Sequence, residues 1–143
     1  MQKTVHILKE LGAPFQERFE YSYYGMYSAQ LKGELDALEK EGLVKESESF
    51  ATTNKIYIIE TQPKAGELLK EVGLAEPPEW TELAKNLIKL PVQVLEGIST
   101  ILFLRRTEKE DAVIRQRLLS LKPHLEPQAD ACFAEVKQLP RFA

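Results

Sequence analysis

The stretch Tyr23–Glu46, YYGMYSAQLKGELDALEKEGLVKE, decides how the N-terminal half is interpreted. Ser28 is suited to cap a helix, and Gly42 is suited to end it in the left-handed conformation that glycine adopts easily. The residues between them carry leucines at helical spacing, namely Leu31, Leu35 and Leu38. The stretch therefore predicts a helix followed by a strand, which small DNA-binding regulators place in the major groove.

The segments on either side extend this pattern into a fold class. Val5, Ile7, Leu8 and Leu11 predict a first helix that Gly12 stops, and an aromatic segment with alternating Phe19, Tyr21 and Tyr23 predicts an extended strand. LVKES and KIYIIE predict a two-stranded hairpin, the predicted wing, which carries Lys45, Thr52, Thr53, Asn54 and Lys55. TQPKAGELLKEVG predicts a helix with Thr61 as its cap and with Leu68, Leu69 and Val72 facing inward. This order predicts a mainly α fold with a small β-wing, a winged helix-turn-helix.

The sequence pattern of the second half of the chain predicts helices only. Trp80 to Ile88 forms one apolar helical pattern, and Val92–Leu104 forms another that is apolar nearly all round and needs cover on several sides. Thr107 and Glu110 match a capping box before a third helix, and Pro127 is suited to open a fourth with Ala129, Phe133 and Val136 inward. We therefore expect a winged-helix domain over residues 1–73, a proline-containing connector over 74–79 and a helical C-terminal extension over 80–143, folding as one cooperative unit.

The composition and charge of the chain exclude several classes of protein and of site. The chain has 143 residues, a net charge of −3 and one cysteine, Cys132, which excludes an intrachain disulfide and a cysteine-rich zinc site. The start MQKTVHILKELG lacks the apolar run of a signal peptide, and the most apolar window is too short to cross a bilayer. We therefore expect a cytoplasmic protein without membrane contact. We identify no catalytic residues, no metal ligands and no cofactor motif.

The segment QKTVHILKELGAPFQERFEYSYYGMYSAQLKGELDALEKEGLVKE resembles the YwgA-like family of small winged-helix proteins. GISTILFLRR and LLSLKPHL carry the resemblance through most of the second half, and PadR-type regulators and antitoxin-associated winged-helix domains are more distantly similar. The family typically reads Tyr-Gly-Pro-Tyr-Ser where this chain has Met26 in the middle position. The resemblance implies a winged helix and a regulator-like protein.

The charges of the predicted reading helix argue against strong DNA binding. Between Ser28 and Glu41, two lysines stand against four carboxylates, so the net charge is −2, and no arginine is present to contact guanine. Small residues recur on one face at four-residue spacing, where they either admit another helix or lie exposed. The DNA- or partner-contacting face of this helix comprises Ala29, Gln30, Gly33, Asp36, Ala37 and Lys40.

A basic cluster in the second half offers another contact surface. It is interrupted by acidic residues, so it is either a solvated helix face or a docking patch for an acidic partner or a phosphate backbone. The cluster comprises Arg105, Arg106, Lys109, Arg115 and Arg117.

Together these features predict a non-catalytic winged-helix protein, a transcriptional regulator that acts by DNA binding, protein binding or both. The alternative is a protein interaction module, adaptor-like or antitoxin-like, without DNA binding of its own. DNA is a possible partner that the helix charge disfavours, and a protein partner or a homodimer is expected.

Overall fold

The computed structural model describes residues 1–49, 56–74 and 76–142, and the chain divides into two compact units. Unit 1 combines Met1–Ser28 with Glu79–Ala143, and unit 2 is Ala29–Pro78. The border after Pro78 falls within the predicted connector. The border between Ser28 and Ala29 has no counterpart in the predicted division, which kept residues 1–73 together. The first 28 residues group instead with the C-terminal helices.

The described residues form seven α-helices, two antiparallel two-stranded sheets and one 3-10 segment. In chain order these are α1 Gln2–Glu10, β1 Glu20–Ser22, β2 Gly25–Tyr27, α2 Ala29–Lys40, β3 Val44–Ser49, β4 Ile56–Thr61, α3 Pro63–Glu71, α4 Thr81–Leu87, α5 Val92–Leu104, α6 Asp111–Leu121, the 3-10 segment Pro123–Gln128 and α7 Ala129–Gln138. The expected mainly α fold with little β-structure is confirmed. The winged-helix arrangement stays a prediction.

Helix α5 is the centre of unit 1, as its nearly uniform apolar sequence predicts. It packs against α1, α6 and α7, and its residues Ile98 and Ile101 are fully buried. The partner helices contribute Ile7 and Leu8 from α1, Ile114 and Leu118 from α6, and Phe133 and Val136 from α7. Each fully buried side chain of this size stabilises the fold by about 1.5–3 kcal/mol relative to its exposed state, so this contact set holds the N-terminal helix to the C-terminal half.

The aromatic segment before α2 is a hairpin and not a single extended strand. Strands β1 and β2 pair Tyr21 with Met26, and the chain turns at Tyr23 and Tyr24. Gly25 follows the turn with a φ of +94°, a conformation that L side chains rarely adopt. Met26, which stands where the family resemblance leads us to expect proline, is 1% exposed, so its side chain is buried within unit 1.

Unit 2 consists of α2, the hairpin β3–β4 and α3. Its hairpin confirms the two predicted strands, and its register runs from Val44 opposite Thr61 to Ser49 opposite Ile56. The predicted helix over TQPKAGELLKEVG is confirmed as α3, but the inward orientation of its apolar side chains is wrong. Leu68, Leu69 and Val72 are exposed, because no described side chain covers this face of the helix.

Two predicted caps are also wrong. Gln62, and not Thr61, precedes α3, and it makes no side-chain capping bond. Helix α6 begins at Asp111, with Glu110 at the capping position, so Thr107 lies too far upstream to cap it. The Thr107 hydroxyl instead donates to the carbonyl oxygen of Leu104 at 3.4 Å, within the turn that ends α5.

Candidate functional site

The predicted contact face of α2 is exposed along its whole length. Leu31 is the only buried residue of the helix, and Leu35 is half-buried. A Cβ atom on Gly33 would meet no described heavy atom within 4 Å, so the small-residue face admits no other helix within the described part of this chain. The face remains available to a partner. It comprises Ala29, Gln30, Gly33, Asp36, Ala37 and Lys40, all exposed.

Only one member of the predicted wing lies within the described residues. Lys45 is on β3 and exposed, whereas Thr52, Thr53, Asn54 and Lys55 lie outside the residues that the structure describes. The strands themselves carry acidic groups near α2. Lys32 of α2 forms ion pairs with Asp36 at 2.8 Å and with Glu46 of β3 at 3.6 Å. Its positive charge is therefore compensated within unit 2.

Carboxylates also cluster at this end of unit 2. Single oxygen atoms of Asp36, Glu39 and Glu46 lie within 4.8 Å of one another. Glu39 additionally accepts a hydrogen bond from the backbone N–H of Glu46 at 3.2 Å. Since Lys32 pairs with two of the three carboxylates, the cluster is explained as a solvated network of ion pairs.

The predicted basic patch is largely neutralised by ion pairs within unit 1. Arg105 pairs with Asp111 at 3.1 Å, and Arg117 pairs with Glu108 at 3.1 Å. Arg106 pairs with Glu10 of α1, and Arg115 pairs with Asp130 of α7. Lys109, the fifth member, is exposed. A surface whose arginines already hold carboxylates offers few cations to a phosphate backbone, so this patch resembles a solvated helix face.

Unit 1 contains a cavity that the sequence did not predict. It has a volume of about 870 Å³ and lies between the turn of the β1–β2 hairpin, α1, the first turns of α5 and the end of α6. Its lining combines tyrosine rings, apolar side chains and charged groups. The members are Lys3, Tyr21, Ser22, Tyr23, Tyr24, Val92, Glu96, Leu121, Lys122, Pro123 and His124.

Lys122 is the most deeply placed charge of this cavity. Its side chain is 4% exposed, and its ammonium group lies 2.9 Å from Glu96 Oε1. It also donates to the backbone oxygen of Tyr23 at 3.0 Å and lies 5.6 Å from the centre of the Tyr21 ring. The lysine thereby links the hairpin turn to α5. A buried charge of this kind is tolerated only with such partners.

Glu96 is the acidic counterpart of two basic groups. Besides Lys122, it faces His124 Nε2 at 3.2 Å from Oε2. Burial alone would raise the pKa of Glu96, but the hydrogen bonds and charges of Lys122 and His124 outweigh burial, and its pKa lies below the ordinary value. The carboxylate is therefore held ionised in the cavity wall.

Lys3 is the second cation at this place. Its ammonium group donates to the backbone oxygen of Met26 at 3.1 Å, and burial lowers its pKa, further lowered by Lys122 and partly offset by Glu96. Gly25 lies between the two lysines: a Cβ atom there would be 3.4 Å from Lys3 Nζ and 3.8 Å from Lys122 Nζ. The same Cβ atom would lie 3.1 Å from Lys3 Cε, so the hairpin backbone at Gly25 packs closely against both lysine side chains.

A second buried polar network lies on the other side of α1. His6 is fully buried, and its Nδ1 lies 2.7 Å from the Ser99 hydroxyl. Its Nε2 lies 3.5 Å from Glu10 Oε1, close enough for an ion pair but without a hydrogen bond. Burial lowers the pKa of His6, although Glu10 opposes this shift. Glu10 itself is held to a pKa of about 2, because His6 and Arg106 together outweigh the effect of burial.

Sequence patterns could not have assembled the cavity. Glu96 is an isolated polar residue of the nearly uniformly apolar segment Val92–Leu104, and no sequence pattern singles out Lys3, Lys122 or His124. The residues come together because α1 and the hairpin, both from the N-terminal part of the chain, pack on α5. The sequence carries one signal of the site, the cluster of tyrosines at positions 21, 23 and 24, and the structure places Lys3 and Lys122 beside them.

Comparison with known proteins finds one relevant similarity. The chain is 24% identical over 125 residues to the uncharacterised protein YwgA of Bacillus subtilis strain 168, which covers 85% of this chain and 72% of YwgA. No protein-family model and no solved structure matches the chain. Within the described ranges, no helix has the length and apolarity needed to cross a membrane. The similarity to YwgA agrees with the resemblance seen in the sequence.

Proposed function

We propose that the protein is a non-catalytic, regulator-like protein of the winged-helix class that acts by binding through unit 2. The partner that its surface fits best is a second copy of this chain. Support for the class comes from the order of α2, the β3–β4 hairpin and α3, and from the resemblance of this segment to winged-helix regulators.

The observation that carries the proposal is the apolar face of α3. Leu68, Leu69 and Val72 recur at helical spacing and are 43%, 46% and 57% exposed. The helix has no buried residue, and Leu74 just beyond it is also exposed. A contiguous apolar face of this kind on a small unit is typical of a protein interaction surface.

The charges beside this face favour a second copy as the occupant. At 100° per residue, Lys64 and Glu71 border the apolar face on the same side, near the two ends of α3. A two-fold axis that pairs α3 with its copy in antiparallel orientation places Lys64 of each helix opposite Glu71 of the other. Lys64 already donates to the backbone oxygen of Glu41 at 2.9 Å, which holds its side chain in place within unit 2.

Sedimentation measurements over a range of concentrations test this assignment. We expect concentration-dependent dimer formation by the intact chain, and loss of dimer in Val72→Glu. Ile88→Glu is the matched control, because Ile88 is an equally exposed apolar residue of unit 1. Dimer formation that survives Val72→Glu, or that is absent in the unaltered chain, would overturn the assignment.

A charge exchange tests the antiparallel geometry separately. Lys64→Glu and Glu71→Lys alone should each weaken the dimer, because each places like charges opposite one another. The double exchange should restore association while leaving the apolar face unchanged. Circular dichroism of each variant distinguishes lost association from lost folding. Equal weakening by the single and double exchanges would exclude this pairing.

DNA binding by α2 is the second candidate function. It is favoured by one observation: the face opposite Leu31 is exposed along the whole helix. The charge is unfavourable, since unit 2 contains six lysines, ten acidic residues and no arginine. Selection of bound sequences from a random duplex pool tests this candidate, and enrichment that depends on Gln30 and Lys40 would support it.

A further inference from the structure

The turn of the β1–β2 hairpin exposes two aromatic rings at the cavity of unit 1. Tyr23 and Tyr24 are 88% and 79% exposed, and their rings lie edge to face with centroids 5.1 Å apart. Tyr21 of the same hairpin behaves differently, because its ring stacks on Phe103 of α5 with an interplanar angle of 11°. The two outer rings thus have free faces beside a cavity, where a flat molecule can stack.

The cavity also holds more positive than negative charge. Lys3, Lys122 and the imidazole of His124 line it, and among the described residues of its lining Glu96 is the only carboxylate. Glu96 is engaged by Lys122 and His124. Lys3 donates to an uncharged carbonyl oxygen, and the described residues place no carboxylate in ion-pair contact with its ammonium group. An anionic group next to Lys3 and Lys122 would compensate this charge.

We propose that this cavity is a binding site for a small planar aromatic molecule that carries one anionic group, a phosphate or a carboxylate. The ring stacks on Tyr23 or Tyr24, and the anion lies in the cavity beside the ammonium groups of Lys3 and Lys122, both of which line it. The volume of about 870 Å³ lies within the range of small-molecule sites. This site lies in unit 1 and does not depend on the function proposed for unit 2.

Calorimetric titration with a small panel of probes tests the site. The panel contains phenyl phosphate, benzoate and adenosine 5′-monophosphate as aromatic anions, with inorganic phosphate and phenol as controls that carry one feature each. We expect at least one aromatic anion to bind about tenfold or more tightly than either control, because stacking and ion pairing then act together. Binding by none of the aromatic anions at millimolar concentrations would overturn the proposal, as would equal binding of aromatic anions and inorganic phosphate.

Two variants locate the bound molecule. The double variant Tyr23→Ala and Tyr24→Ala should weaken binding about tenfold or more, the size of effect seen when a stacking ring is removed. Tyr57→Ala is its control, since Tyr57 is an exposed tyrosine of unit 2. Lys3→Gln should weaken binding of the aromatic anion and leave that of phenol unchanged, with exposed Lys137→Gln as control.

Thermal unfolding of each variant confirms that the fold is intact, which the high exposure of Tyr23 and Tyr24 makes the expected result. Unchanged affinity in both the tyrosine variant and Lys3→Gln would place the bound molecule elsewhere and overturn the proposal. A short single-stranded oligonucleotide extends the panel. Binding of the oligonucleotide without binding of any small aromatic anion would assign the rings to nucleic acid and would likewise exclude the small-molecule site.

Discussion

The ammonium group of Lys122 lies 2.9 Å from Glu96 Oε1, and their side chains are only 4% and 16% exposed. Lys122 follows the last residue of α6, Glu96 lies in the second turn of α5, and the same ammonium group holds the backbone of the hairpin at Tyr23. One lysine therefore ties three separate segments of unit 1 together. Because the charge of Lys122 is buried, the contribution of this residue to stability depends on both partners being present.

Loss of one partner of this ion pair should be costly. We expect Lys122→Met to lower the free energy of unfolding by about 1.5–3 kcal/mol, because Glu96 then keeps only His124 as a basic partner and the backbone oxygen of Tyr23 loses its donor. Lys85→Met is the matched control: Lys85 pairs with Glu82 at 3.2 Å on an exposed surface, where the loss should be at most about 1 kcal/mol. Urea denaturation of both variants provides the measurement, and similar losses would contradict the structural importance of Lys122.

Two helical glycines should respond oppositely to the same substitution. A Cβ atom on Gly97 of α5 would collide with Cys132 Sγ and lie 3.2 Å from Cys132 Cβ on α7, so Gly97→Ala should cost about 1–3 kcal/mol through overpacking. Gly33 of α2 has open space, so Gly33→Ala should stabilise by up to about 1 kcal/mol through helix propensity. Melting temperatures of both variants test this contrast. A stabilised Gly97→Ala protein would disprove the close approach of α5 and α7.

The contrast between these glycines shows what periodicity can and cannot predict. Both stand in helices that the sequence predicts well, and the nearly uniform apolar character of Val92–Leu104 correctly predicts the central helix of unit 1. Spacing of small residues on α2 left open whether another helix packs there or the face is exposed, and no described atom lies within 4 Å of a Cβ at Gly33. The real close approach is at Gly97. Sequence spacing identifies a face, whereas the identity of its neighbour depends on contacts between distant segments.

The same limit explains the error at α3 and the missed cavity. Apolar spacing at Leu68, Leu69 and Val72 predicts a helix correctly, but their inward orientation presumes a covering layer that the described chain lacks. Lys3 and Lys122 are separated by more than a hundred residues and become neighbours only when the hairpin packs on α5. Charge patterns within one segment carry no information about such a meeting.

Acid should destabilise unit 1 through two groups of one network. Burial lowers the pKa of His6, so the unfolded chain binds a proton more readily and stability falls as the pH decreases below the ordinary histidine value of 6.5. The pKa of Glu10 is about 2 in the folded protein against an ordinary value of 4.5, so the stability from its ionised form is lost as the pH falls from 4.5 toward 2. We expect two successive losses of stability on acidification.

Variants assign the two losses. His6→Gln should remove the first loss and reduce the second, because His6 also lowers the pKa of Glu10, and Glu10→Gln should remove the second. Each loss is measured as the slope of unfolding free energy against pH. His124→Gln is the control for His6, because His124 is more than half exposed. A pH profile of His6→Gln that matches the unaltered protein would show that the buried imidazole does not control this dependence.

We expect the protein to have no strong sequence-independent affinity for duplex DNA. The segment Ser28–Glu41, which contains α2, carries a net charge of −2, and four of the five cations in the basic patch already pair with carboxylates. General affinity for DNA requires several phosphate contacts and falls steeply as salt rises. We therefore expect no retardation of random duplex in gel-shift experiments at submicromolar protein and near-physiological salt. Salt-sensitive binding under these conditions would contradict this prediction.

If such binding occurred, a variant that neutralises Arg105, Arg106, Arg115 and Arg117 would locate it. Loss of binding in this variant would identify the basic patch, and not α2, as the contact surface.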